Sequence, residues 1–287
     1  MNKNTKGAFV ANAASLGLNW IYNIPYLDRL AKQGEIVFLE IDPAKYKRAR
    51  KAWNAYPNAE VGDLSFQGNI LKWLLEAWKD TPDFNQTDYL ELIHEKIKPG
   101  GTYEGWVESF GQKLIFNRLI DRYELSQEKL VMDDDQLVGF VPYIAAKELG
   151  YDNDRAWDLA QGFTSNEEYR QFYDVFDALL TDIKTMSMKD ALKKSLKNVP
   201  MQFGFKLTMA LNTKEPKEIL NIVNTGSPIG YSLPILYTIL AHSASFEEAI
   251  RLNTKFGGAS SDRGLLLGLI FAQISEIPEN WLEKTHF

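Results

Sequence analysis

The segment Phe256-Gly257-Gly258-Ala259-Ser260-Ser261-Asp262-Arg263-Gly264 places two glycines and small hydroxyl residues just ahead of an apolar run, Leu265 to Ala272. At a helix start this composition leaves backbone N–H groups uncovered, and their partial positive charge suits a phosphate or a sugar. On that reading Gly257, Gly258, Ser260 and Ser261 face the ligand, and Arg263 meets a phosphate or carboxylate bidentately. Gly258→Glu would then abolish binding and leave the fold largely intact. A competing reading is mechanical: Gly264 and Gly268 let a neighbouring helix approach closely, and Arg263 forms an ordinary surface or helix-bridging ion pair. The residues alone leave both readings open.

A second segment with chemical potential is Met132-Asp133-Asp134-Asp135-Gln136. Acids clustered at a helix start are favourable to the dipole in any protein. Mutual repulsion should also raise their pKa values, so that Asp133, Asp134 and Asp135 could supply a cation site or a general acid. His94 sits in a charged helix with no neighbours that would complete a nucleophilic arrangement, and reads as solvated.

The elements that must position these residues are helices. Asp42-Pro43 pairs a capping side chain with a proline at the first helical position, which predicts a helix through Tyr46, Ala49 and Trp53. Ser165 with Glu168, and Ser245 with Glu248, fit the capping box. Further helices are predicted at about 66–80, 86–97, 104–123, 135–149, 152–162, 189–197, 215–223, 231–242 and 260–275, from apolar spacing of three and four. Ile36-Val37-Phe38-Leu39 is the one good strand candidate, and a lone strand cannot make a sheet. With short connections and no low-complexity linker, the prediction is one all-α domain spanning residues 1–287.

Composition closes off several functions. The net charge of -6 gives no electrostatic reason to expect nucleic acid as a partner. The absence of cysteine removes disulfides, thiolate metal sites and cysteine nucleophiles, and three histidines are too few for a multi-histidine cage. No run reaches the ~18 apolar residues of a membrane-spanning helix, so no membrane partner is expected. At the N-terminus, Lys3 and Lys6 precede an apolar stretch in the order of a secretory signal, but Ala8, Ala11 and Ser15 recur at helical spacing and Asn12 interrupts the stretch. A closely packed helix of the mature protein, in the cytoplasm, is the expectation.

Several of these segments, taken in order, resemble the ADP-ribosylglycohydrolase family. They are Gly230-Tyr231-Ser232-Leu233-Pro234, Ser245 to Ile250, Gly257-Gly258 with its small-residue helix, and Ile277 to Leu282. Gly7 to Val10 with Ala13 to Gly17 and Trp20 to Asn23 is similar to the family's opening helix, and Leu137 to Ala146 with Pro142 to a central one. The resemblance is patchy from about 150 to 225. It implies an all-helical domain that hydrolyses the glycosidic bond between ADP-ribose and a side chain, using two magnesium ions held by acidic motifs.

Those motifs are damaged. The family pattern Gly-Gly-Asp-Thr-Asp-Thr falls on Gly257 to Asp262, which puts Ala259 and Ser261 where ligand aspartates belong. Methyl and hydroxyl groups do not replace carboxylates for magnesium. The early Thr-Asp-Asp-Thr pattern falls near Gly62 to Asn69, where Asp63 is the one carboxylate left. The expectation is therefore no resident metal and at most a weakly held magnesium ion. Asp63 and one of Asp133 to Asp135 become the candidate acid and base. Asn19, which stands where some relatives have histidine, joins Gln67, Asn69, Asp262, Arg263 and the glycine-rich segment as the candidate ligand-binding set. The expected ligand is ADP-ribose-like or an ADP-ribosylated substrate. The leading reading is a divergent hydrolase with weak or no magnesium dependence; the alternative is an inactive pseudoenzyme that binds a nucleotide-like ligand or a protein.

Overall fold

The computed structural model describes residues 1–287 and is built from helices around a single main core that draws on both ends of the chain, from Ala8 to Trp281. The centre is a seam between α1 (Lys3–Ser15) and α14 (Ser260–Phe271), the most extensive helix–helix contact in the molecule. A Cβ added at Gly268 would enter the Gly7 carbonyl oxygen, and one at Gly264 would press on the carbonyl of Ala11. The two backbones touch, which only small residues permit. Every residue of α14 is buried, so this helix has no polar face to show to water, as befits the middle of a bundle.

Around this pair run α2 (Ile24–Gln33), α3 (Pro43–Ala49), α4 (Phe66–Lys79), α5 (Gln86–Ile97), α6 (Ser109–Tyr123), α7 (Val141–Leu149) and α8 (Asn153–Ala160). The chain continues through α9 (Glu168–Asp182), α10 (Met188–Ser195), α11 (Met201–Asn212), α12 (Ile229–His242), α13 (Phe246–Phe256) and α15 (Glu279–Lys284). Asp42 caps α3 as its sequence predicts, accepting from the N–H of Ala44 at 2.8 Å. The helix ends at Ala49, before Trp53, because Arg50 turns the chain with φ +63°. Ser245 caps α13 through the N–H of Glu248, but the Glu248 carboxylate returns to Ala244 and not to the cap residue. At α9 it is Asn166, not Ser165, whose side chain accepts from the N–H of Glu168.

Some expectations change. Residues 36–39 form no strand: Ile36 and Val37 are buried as irregular chain, and the Phe38 N–H donates to the carbonyl of Ala14 at the end of α1. The stretch predicted as a helix over 215–223 is a 3-10 turn, Pro216–Asn221, and α2 and α11 had no clear signature. No helix is long and apolar enough to cross a membrane.

Candidate functional site

The short 3-10 turn Leu16–Leu18 carries the chain from α1 into Asn19 and Trp20, which meet the start of α14. Trp20 adopts φ +59°, a left-handed conformation that costs a non-glycine residue energy and persists only when its surroundings enforce it. Here the enforcement is visible. Its N–H donates to the carbonyl of Gly258 at 2.7 Å, its carbonyl accepts from Trp53 at 3.0 Å, and the Gly258 N–H donates to the carbonyl of Ile21 at 2.9 Å.

The glycine pair is therefore not an open cradle. Gly257 and Gly258 both have positive φ, and a Cβ at either would enter a carbonyl oxygen, that of Ile21 or Thr225 respectively. The expectation that Gly258→Glu spares the fold is overturned by this backbone contact. Asn19 occupies the helix start itself: its Oδ1 accepts from the Ser261 N–H at 3.0 Å, with the Ser260 hydroxyl at 3.5 Å. A capping side chain stands where an anion would need a free donor.

Arg263 fits neither expectation. It is fully buried and contacts no carboxylate; its guanidinium donates to Asn253 Oδ1 at 2.8 Å, to the Asn253 carbonyl at 3.3 Å and to the Gly257 carbonyl at 2.9 Å. Burial pushes its pKa down to about 9, against the nearby charge of Asp262. Arg263 ties α13 to the start of α14 and makes no surface ion pair.

Below lies a buried polar network. Asn12, in the middle of α1, donates to Ser65 Oγ at 2.8 Å and to the Ser261 carbonyl at 3.0 Å, and its Oδ1 accepts from the Ser65 N–H. Ser65 caps α4 through the Gly68 N–H and donates its hydroxyl to Asp262 at 2.8 Å. Burial raises the Asp262 carboxyl to about 7, with Ser65 and Arg263 acting against the rise. Gln67, one residue into α4 from Phe66, donates to Glu108 at 3.1 Å. Glu108 immediately precedes α6; burial first, then the charges of Asp262 and Asp134, holds its pKa well above the carboxylate range, while Gln67 opposes the rise.

Glu108 opens onto a cavity of about 520 Å³ whose walls include Trp20, Trp53, Trp106, Tyr22 and Asp135. Trp106 meets Trp20 and Trp53 edge-on, at 6.4 and 5.5 Å between ring centres. Beyond Trp53 and Trp106 lies a second cavity of about 620 Å³, which holds Asp63 and Asn69. Asp63 hydrogen-bonds His286 at 2.9 Å, and Asn69 donates to the carbonyls of Leu64 and Ser65.

The structure therefore does not bring the expected acid and base together, since Asp63 and Asp135 line different cavities. Asp133 is exposed, and the ammonium of Lys113 at 2.6 Å lowers its pKa, the reverse of the predicted rise. Asp134 is buried and raised, chiefly by burial, and accepts from Gln136 and Ser109. The buried carboxyl pair is instead Glu108 with Asp262. Glu108 was missed because it stands in no recognisable motif. Asn12 left one signal, a polar residue inside an apolar helical stretch, and such a group must find partners when buried.

A solved structure described as an ADP-ribosylglycohydrolase-related protein complex is similar over 99% of this chain and 93% of that chain, with a TM-score of 0.61 and 16% identity. The fold is ADP-ribosylglycohydrolase-like. No family model and no curated protein matches the sequence. The two magnesium ions that the ADP-ribosylglycohydrolase resemblance implies do not fit the residues present. Ala259 offers a buried methyl, Asp262 is engaged by Ser65, and the Arg263 guanidinium adds positive charge beside it. Three carboxylate or imidazole ligand atoms converge only at Glu91, His94 and Glu95 on α5, where Glu91 and Glu95 are exposed.

Proposed function

We propose that this chain is a cytoplasmic binding protein built on an ADP-ribosylglycohydrolase-like fold, in which magnesium-dependent hydrolysis has given way to recognition. The observation that carries this reading is the Asn12–Ser65–Asp262 network with Asn19 on the α14 start: side chains fill the ground where the resemblance places metal ligands and phosphate. The fold points to an ADP-ribose-like ligand or an ADP-ribosylated partner, and the similar solved structure being a complex favours a protein partner. The test is incubation with an ADP-ribosylated peptide, with and without magnesium, reading released ADP-ribose by mass spectrometry. No release is expected; magnesium-dependent turnover would overturn the reading.

A second reading has one specific support. Glu108, whose pKa is raised chiefly by burial, and Asp135 line the same cavity. A raised carboxylic acid and an opposing carboxylate are the pair that metal-free glycoside hydrolysis uses as acid and base. Turnover in the presence of a chelator, abolished by Glu108→Gln, would establish it.

A further inference from the structure

The tryptophan-lined cavity carries a charge pattern opposite to what a diphosphate needs. Its lining includes the carboxylates of Glu108 and Asp135 and no lysine or arginine. Arg263, the candidate for phosphate recognition in the sequence, is fully buried, has Nε and Nη2 on Asn253 and Gly257 with Nη1 left unpaired, and does not line this cavity. A pyrophosphate placed here would meet two acidic side chains and no cationic side chain to neutralise it.

The same walls are well suited to a cation. Trp20, Trp53 and Trp106 meet at steep angles, 83° and 67° across Trp106, so the rings form adjoining walls and not a closed stack. Indole faces attract ammonium and guanidinium groups through the ring quadrupole. In that lining, Glu108 Oε1 is a buried oxygen with no hydrogen-bond partner, while the other Glu108 oxygen accepts from Gln67. Buried acceptors without partners are rare and mark a place where a donor belongs. Trp20 Nε1 is a buried donor without a partner, which leaves a place for a hydroxyl or carbonyl elsewhere on the same molecule.

We propose that this cavity binds an organic cation bearing N–H donors, a primary ammonium or guanidinium group, caged by Trp20, Trp53 and Trp106 with Glu108 as its counter-ion. The proposal rests on the binding-protein reading above and, for this cavity, replaces the ADP-ribose-like ligand with an organic cation. The head group is the shared chemistry of a free amine and of a lysine or arginine side chain presented by a protein.

The experiment is a titration of the full chain, followed by tryptophan fluorescence and calorimetry, with n-butylammonium, N-methylguanidine, a lysine- and arginine-containing peptide, and ADP-ribose. Saturable binding of either small cation is expected, weakened at least tenfold by Glu108→Gln and by Trp53→Ala. Trp53 is exposed, so its replacement leaves the core untouched. Tighter binding of the peptide than of the small cations would assign the head group to a protein side chain; the reverse would assign it to a free amine, and both support the cage. Binding of ADP-ribose alone, lost in Trp53→Ala, would overturn the cation proposal and leave the binding-protein reading standing. Cation binding indifferent to both substitutions, or no binding of any of the four, would overturn the cation proposal. Failure of the binding-protein reading is separately visible as turnover of an ADP-ribosylated peptide.

Discussion

Trp20 and Gly258 are locked to one another: the indole residue's N–H donates to the glycine carbonyl at 2.7 Å, while the glycine N–H donates to Ile21, the next residue along. This pair joins the wall of the tryptophan cavity to the start of the central helix. It also explains why both residues hold positive φ, 59° and 61°. A substitution on one side of the pair should be felt on the other.

Gly258→Ala is expected to destabilise the protein by about 3 kcal/mol or more, since the new methyl enters the Thr225 carbonyl and the backbone is left-handed. Thermal unfolding by circular dichroism checks this. A change in melting temperature of a degree or less would mean that the loop relaxes freely and that the glycine pair is not structurally required.

Arg263→Ala should cost ~3–5 kcal/mol, because three hydrogen bonds vanish and the acceptors on Asn253 and Gly257 are left buried and unpaired. Arg263→Lys should recover little of it, since an ammonium cannot reproduce the planar fork. Urea unfolding of the three proteins measures both. Wild-type stability in Arg263→Ala would contradict the bracing role between α13 and α14.

Asp262 sets a pH dependence with a definite sign. Its pKa is raised to about 7 in the folded chain, so the folded state binds more protons than the unfolded state between the ordinary carboxylate range and neutrality. The stability it contributes is present in full at acid pH and is lost as pH rises from about 4 towards 7. Glu108, also raised, adds to the same slope. Asp262→Asn should flatten the fall in melting temperature between pH 5 and pH 8; an unchanged slope would place the titration elsewhere.

Cation binding should release a proton. The pKa of Glu108 is raised by burial and by the charges of Asp262 from α14 and Asp134 from the segment before α7, with Gln67 from α4 opposing the rise and the phenols of Tyr22, Tyr56 and Tyr103 nearby. A cation favours the ionised carboxylate, so affinity rises with pH. Calorimetry in buffers of different ionisation enthalpy counts the proton, and Glu108→Gln should remove it.

Magnesium should matter little to the fold. A ligand held only by the native state raises stability in proportion to RT ln(1 + [L]/Kd), so adding millimolar magnesium or a chelator should move the melting temperature by less than about 1 °C. A larger shift, reversed by chelation, would mean that Glu108, Asp262 and their neighbours take up a metal after all.

Much of the helical plan was legible in residue order because its signals are local. Asp42 before Pro43, Ser245 ahead of Glu248, and the apolar spacing of α4 and α5 each act within one or two turns, where cap geometry and side-chain direction are set by neighbours in sequence. The close-packing alternative for Gly264 and Gly268 was readable for the same reason, although which helix they meet was not. The site was legible only in part. Gln67, Asn19 and Asp262, singled out in residue order, lie in or beside the buried polar network and Asp135 lines the tryptophan cavity, but Glu108, which accepts from Gln67, and Ser65, which donates to Asp262, come from distant segments.

Residue types and local spacing determined the helical class and the small-residue character of α1 and α14. Only the tertiary structure decided what those features do. Whether an N–H at a helix start is free depends on what packs against it, and here the Ile21 carbonyl takes the Gly258 N–H and the Asn19 side chain takes the Ser261 N–H. Whether a carboxyl holds a proton depends on the water it loses and the charges it faces, and those come from α4, α6 and α14 together. Both are long-range quantities, sums over neighbours far apart in sequence, which is why Arg263 became an internal brace and Glu108 the acid at the floor of the cavity.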